Sequence, residues 1–256
     1  MEGHTLLTKA VRMSAVAVLF CLTILHLSCI VYAMPQFNNE NDPLSDRYTP
    51  KPSARYSFAG DARDVTANGN DGTIYSAALT TDRFGDANSA FYFNGSNSYI
   101  SVPYSDRLMP TDVTVTAWIK TGFHGFATIL TTQTDPSTNT GGYCLRLRES
   151  GKIWFGIGSY GTESAVESNS SVNDDTWVLV CGVKDGIEIK VYIDGVLQGS
   201  GRTDYALTGK RELSIGKANN NIEYFSGNID DVSIYPVALS DERIADIYAD
   251  ENSEPY

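Results

Sequence analysis

The chain has 256 residues, 42% of them apolar, and a formal net charge of -12 at pH 7. That length supports one large domain with a core of its own. So acidic a surface repels phosphate backbones, which excludes nucleic acid as a partner; it suits cations or basic surfaces, and it equally serves plain solubility.

The first element in chain order is a leader. Lys9 and Arg12 precede an apolar run over residues 15–27, and Val31, Tyr32 and Ala33 place small residues where a signal peptidase reads. This predicts a secretory signal over residues 1–33, cut after Ala33, and an extracellular destination with no membrane attachment after cleavage. The alternative is an uncleaved anchor, because residues 13–33 are nearly long enough to span a bilayer. A lipoprotein would use Cys29, but His26 stands where an aliphatic residue is required.

Cleavage thins the catalytic repertoire, leaving His124, Cys144 and Cys181 from three His and four Cys. One His and two Cys do not build a multi-His zinc site unless carboxylates fill in. A Ser-His-Asp arrangement would need His124, in the run Thr121-Gly122-Phe123-His124-Gly125-Phe126, which resembles no nucleophile motif. We read His124 as an exposed loop residue. Residues 34–52 are polar, Pro-punctuated and aperiodic, which predicts a disordered lead-in, and residues 251–256 read as a similar tail.

Between them, residues 53–250 read as strands. Val113, Val115, Ala117 and Ile119 alternate with Thr114, Thr116, Trp118 and Lys120, the period-two pattern of a strand. A second alternating run, Tyr143-Cys144-Leu145-Arg146-Leu147, turns through Glu149-Ser150-Gly151 into Ile153-Trp154-Phe155, predicting a hairpin. Trp177 to Val183 leads to Asp185-Gly186, then Ile187 to Ile193, then Asp194-Gly195. Asp-Gly is a favoured two-residue turn because both positions want positive φ. Asn94-Gly95 is read the same way, as a turn joining a strand pair. One helix is expected over residues 241–248, with Ser240 as N-cap, Asp241 and Glu242 in the first turn, and Ile244, Ile247 and Tyr248 on one face. Many short strands with frequent turns predict an all-β fold: a two-sheet antiparallel jelly-roll sandwich with one short C-terminal helix.

Four blocks in order carry a family signature. They are Tyr56-Ser57-Phe58 with the loop Asn68-Gly69-Asn70-Asp71-Gly72; Asp82-Arg83-Phe84-Gly85 through Ser98-Tyr99-Ile100; Val113 to Lys120 with Asp175-Thr176-Trp177 and Tyr192-Ile193-Asp194-Gly195; and Gly227-Asn228-Ile229-Asp230-Asp231-Val232 through Ser240. Together they resemble the LamG-like jelly-roll family of the concanavalin A-like lectin and glucanase superfamily, over residues 53–250. Cys144 and Cys181 depart from it, at positions where the family commonly has small or apolar residues.

The resemblance implies a structural Ca2+ ion, with Asp64, Asn68, Asp71 and Asp230 as its ligands. A hard cation takes six to eight oxygens, and an Asx/Gly loop can supply both carbonyls and carboxylates. The same residues also suit plain turn chemistry. The superfamily's glucanases carry Glu-x-Asp-x-x-Glu on one strand face, a string this chain lacks, so no glycosidase activity is expected.

Glycans are held by aromatic faces and planar polar groups, and the long polar loops 121–140, 160–174 and 219–225 offer Tyr160, Tyr224 and Phe225. Trp118, Trp154 and Trp177 fall in strands and read as core. Export favours a disulfide between Cys144 and Cys181; two buried thiols are the alternative. Asn94 and Asn169 fit the N-glycosylation pattern. The expected role is recognition of an extracellular glycan or glycoprotein. The rival is an acidic component of an extracellular matrix, with a matrix or mineral surface as partner, and a divergent glycosidase stands third.

Overall fold

A computed structural model describes residues 50–133 and 141–253. The leader, most of the polar lead-in, residues 134–140 and the last three residues lie outside the described residues; the loops expected over residues 121–140 and 160–174 are interrupted by strands at Ala127–Thr131 and Ser164–Ser171. In chain order the strands are β1 (Ala54–Tyr56), β2 (Thr73–Tyr75), β3 (Ala78–Thr80), β4 (Ala90–Asn94), β5 (Tyr99–Val102), β6 (Val113–Lys120), β7 (Ala127–Thr131), β8 (Gly142–Leu147), β9 (Lys152–Gly158), β10 (Ser164–Ser171), β11 (Trp177–Asp185), β12 (Glu188–Ile193), β13 (Val196–Arg202), β14 (Leu213–Ile215) and β15 (Ser226–Tyr235). The helix α1 (Asp241–Asn252) closes the domain.

Alternation decides how they stack. Val113, Val115, Ala117 and Ile119 of β6 all enter one core, with Tyr143, Leu145 and Leu147 of β8 and Ile153, Phe155 and Ile157 of β9. Each strand can bury only every second side chain on that side. Two antiparallel sheets therefore face each other. Sheet A runs β13-β12-β11-β6-β15-β4-β3, with β1 also on β15; sheet B runs β10-β9-β8-β7-β14-β5-β2. Tyr56 and Tyr143 are fully buried in this core. Each hydroxyl finds a carbonyl, Asn70 O at 2.7 Å and Leu108 O at 3.0 Å, as a buried phenol requires.

The outer faces differ. That of sheet A carries a second apolar cluster, in which Trp118, Leu179, Cys181, Val183 and Tyr192 pack beneath Ile244 and Ile247 of α1. The helix begins as expected: Ser240 Oγ accepts from Arg243 N–H at 3.2 Å, and Asp241 and Glu242 sit in the first turn. It runs one turn further than residues 241–248, because Glu251 has partners beneath it. Trp118 Nε1 donates to Glu251 Oε2 at 2.9 Å, and Arg83 donates to the Glu251 carbonyl. Residue 251 thus belongs to the helix and not to a tail.

Some local expectations change. Leu147 pairs with Ile153 around a turn at Gly151, as predicted. Asp194 and Gly195 both have positive φ, as predicted. Asp185, however, pairs with Glu188, so that turn consists of Gly186 and Ile187. Asn94-Gly95 is not a hairpin turn, because β4 lies in sheet A and β5 in sheet B. Asn94 Oδ1 instead gathers the N–H groups of Ser96, Asn97 and Ser98 to swing the chain between sheets. The disulfide is also corrected. Cys144 lies on β8 between inward-facing Tyr143 and Leu145, so it points out of sheet B; Cys181 points out of sheet A under α1. Both are free and buried, on opposite sides of the sandwich. No bond can cross two sheets whose faces stand about 10 Å apart, since a disulfide needs Cα atoms within about 7 Å.

Candidate functional site

The outer face of sheet B is built differently from that of sheet A. Strand registers line up Gly156, Cys144, Thr131, Ser214, Ser101 and Thr73 as one row across six strands. This is a floor of small, mostly polar side chains. The next row begins with Trp154, Arg146 and Thr128 on β9, β8 and β7, and resumes with Tyr99 and Tyr75 on β5 and β2. Lys217, just past β14, bridges the gap with Nζ 3.9 Å from the Tyr99 ring centre. Five strand spacings make this row about 24 Å long.

Arg146 is the hub. Its side chain is 5% exposed, lying 5.0 Å from the Trp154 ring centre and 4.7 Å from that of Tyr160. Nη1 donates to Glu163 Oε1 at 3.0 Å and Nη2 to Gln133 Oε1 at 2.9 Å; Nε lies 3.0 Å from Glu223 Oε2. The Tyr160 hydroxyl donates to Glu223 Oε1 at 2.9 Å, and Thr128 Oγ1 to Glu223 Oε2 at 3.1 Å. Burial, together with the bond to Glu223, pushes the Tyr160 phenol above its ordinary value and keeps it a donor. Trp154 lies flat because Gly156 makes room: a Cβ there would meet the indole at 2.3 Å. The result is two fixed aromatic planes around an enclosed guanidinium.

Seven buried side-chain polar atoms have no hydrogen-bond partner among the described residues, and four of them belong here: Gln133 Nε2, Glu163 Oε2, Asn219 Oδ1 and Ser214 Oγ. Buried polar groups are ordinarily satisfied, so their concentration on one face marks it.

Of the residues picked from sequence, Tyr160 belongs to this site, and Tyr224 is half-buried on the adjoining 216–225 loop. Phe225 does not. It is fully buried in the core, edge-on to Phe93 at 6.3 Å, because the loop re-enters the sheet there as β15 begins. Trp118 is core, as expected, whereas Trp154 is half-buried on the outer face. Sequence reasoning missed Arg146, Glu163, Glu223 and Gln133. One signal was available: Arg146 occupies an outward position of an otherwise buried strand. Asn94 and Asn169 are both exposed.

The four residues implied as calcium ligands form no single cation site. Asp64 Oδ1 accepts from Arg55 N, Thr66 N and Thr66 Oγ1, and Oδ2 accepts from Asn70 N and Nδ2, at 2.6–3.2 Å. Against the upward push of burial, the bonds from Thr66, Arg55 and Asn70 hold this carboxyl below its ordinary value. Asp71 Oδ1 accepts from Asp64 N. Asn68 donates to Ser53 O and lines a cleft shared with Lys51 and Arg107, whose charges oppose a metal ion. Asp230 is bound by Arg83 at 2.8 Å instead. Among the described residues, no group of three or more His, Cys, Asp or Glu could hold a metal. The donor set as it stands does not fit calcium.

Asp230 belongs to a clamp on sheet A. A bulge between Asp230 and Ser233, with Asp231 at φ 41°, lets two successive carboxylates face the same way. Arg83 takes both, at 2.8 and 2.9 Å, while its guanidinium lies over Phe84 and Trp118. Arg55 joins from β1, at 3.3 Å from Asp231 and 3.7 Å from Glu251. Burial, with Asp231 alongside, pushes Asp230 up to about 8 and Glu251 up to about 7.

A two-sheet sandwich with one helix-covered face and one open aromatic-polar face has the architecture of a concanavalin A-like jelly roll. A family model described as the concanavalin A-like lectin/glucanases superfamily matches residues 94–245, and the chain belongs to that family. The fold is similar to domain 4 of AbnA, an extracellular GH43 arabinanase from Geobacillus stearothermophilus solved with arabinotriose. The TM-score is 0.67 at 24% identity, covering 78% of this chain and 98% of that one. It is also similar to the receptor-binding domain of the botulinum neurotoxin C/D mosaic serotype (TM-score 0.62, 18% identity, 78% of this chain and 51% of that one). A third similar structure is the binding domain of botulinum neurotoxin DC in complex with SialylT (TM-score 0.61, 12% identity, 77% and 50%). The chain thus spans about half the length of the toxin domains. A search of curated proteins finds no match.

Proposed function

We propose that this chain is an exported, non-enzymatic carbohydrate-recognition module whose ligand lies on the outer face of sheet B, against Trp154 and Tyr160. The observation that carries this reading is the pair of aromatic planes held around Arg146 beside four unpartnered buried polar atoms. Sugar rings stack their C–H faces on such planes, and their hydroxyls satisfy such atoms. The arabinotriose complex of a similar fold adds support. Glu163 and Glu223 are each tied to Arg146, which suits positioning better than acid–base chemistry on a glycosidic bond. The reading calls on no calcium ion.

A glycan array probed with the full chain tests it. Selective binding is expected, and Trp154→Ala and Tyr160→Ala should each weaken it at least about tenfold while the fold persists. A blank array from folded protein would overturn it and favour the acidic matrix role. Export is checked by terminal sequencing of secreted protein, expected to begin at Met34.

A further inference from the structure

We infer that the glycan taken at this face is neutral and hydroxyl-rich, and that glycans presenting a carboxylate or sulfate beside Trp154 are rejected. This rests on the carbohydrate reading above and deepens it. An anionic sugar needs an available cation, and the guanidinium held between Trp154 and Tyr160 is already matched, while that of Arg148, the next outward residue of the same chain segment, lies 4.8 Å over the Phe126 ring. Each of the three Arg146 nitrogens faces an oxygen of Glu163, Gln133 or Glu223, and two of these partners are carboxylates. The nearby Lys217 is buried, with Nζ 2.6 Å from Asn221 Oδ1. An anion seated at the Arg146 cluster would therefore face two carboxylates against one guanidinium, in surroundings where charge is poorly screened.

The unpartnered atoms point the same way. Glu163 Oε2 and Asn219 Oδ1 are acceptors and want a donor. Sugar hydroxyls donate; carboxylates and sulfates do not. Ser214 Oγ can donate or accept, and Gln133 Nε2 can meet a hydroxyl or ring oxygen. These atoms are closed to bulk water, so a ligand reaches them with a small movement of the 159–163 or 216–225 loop, the second of which holds Asn221 and Glu223 at positive φ.

The test compares each neutral hit from the array with its sialylated, uronate-bearing or sulfated counterpart, by titration calorimetry on the full chain. Neutral ligands should bind at least about tenfold tighter, and Glu163→Gln should narrow that gap. If the variant misfolds, the wild-type protein still decides, because raising salt from about 0.05 to 0.5 M screens the repulsion and should also narrow the gap. Equal or tighter binding of acidic glycans, or a gap indifferent to both changes, would overturn the inference while leaving the carbohydrate reading standing. A blank array removes that reading and this inference together.

Discussion

Neighbouring residues in this chain do opposite work. Tyr224 and Phe225 are adjacent in sequence, yet one lines the outer loop and the other fills the core. Phe225→Ala should destabilise the fold by about 3–5 kcal/mol, because it leaves a cavity against Phe93. Tyr224→Ala should change stability by less than about 1 kcal/mol and weaken glycan binding; urea denaturation with a binding titration separates the two. Arg146 serves the fold as well as the site. Replacing it with Met would strand Glu163 and Glu223, at 8% and 15% exposure, without a counter-charge. A loss of about 3–5 kcal/mol is expected in the same measurement, mostly from the uncompensated carboxylates.

Among elements, α1 is the one whose attachment depends on charge. Its apolar stripe was visible in Ile244 and Ile247, but its last turn is held by Arg83, Arg55 and Trp118, contributed by distant parts of the chain. Asp230 and Glu251 are pushed up to about 8 and about 7, above their unfolded values. Their contribution to stability is therefore fully present below about pH 4 and is lost as pH rises through 7 to 8. Thermal melts should show a lower midpoint at about pH 9 than at about pH 5. Asp230→Asn mimics the protonated form and should flatten that dependence; an unchanged slope would show that the clamp does not titrate. The paired Asp230-Asp231 could be read from sequence as a signature. That a bulge turns both toward Arg83 could not, because a bulge is a property of pairing between strands.

At the scale of the molecule, the two faces of the sandwich decide what the cysteines and the Asx loop can do. Cys144 and Cys181 should be alkylated only after unfolding, and reductant should leave the melting midpoint unchanged; mass spectrometry of trapped thiols reads this directly. Because Asp64 is satisfied by N–H and O–H donors, calcium and chelator should give the same midpoint within about 1 °C. A rise of several degrees in calcium would show that the loop reorganises around the ion. Alternation in β6, β8 and β9, the Asp194-Gly195 turn and the Ser240 cap are local, so sequence alone determined the sandwich, its closing helix and its family. The meeting of Arg146 with Glu163 and Glu223, the outward turn of Trp154, and the separation of the two cysteines were decided only by tertiary structure. A sheet face is assembled sideways, from residues on strands and loops far apart along the chain, and strand registers alone say which of them become neighbours.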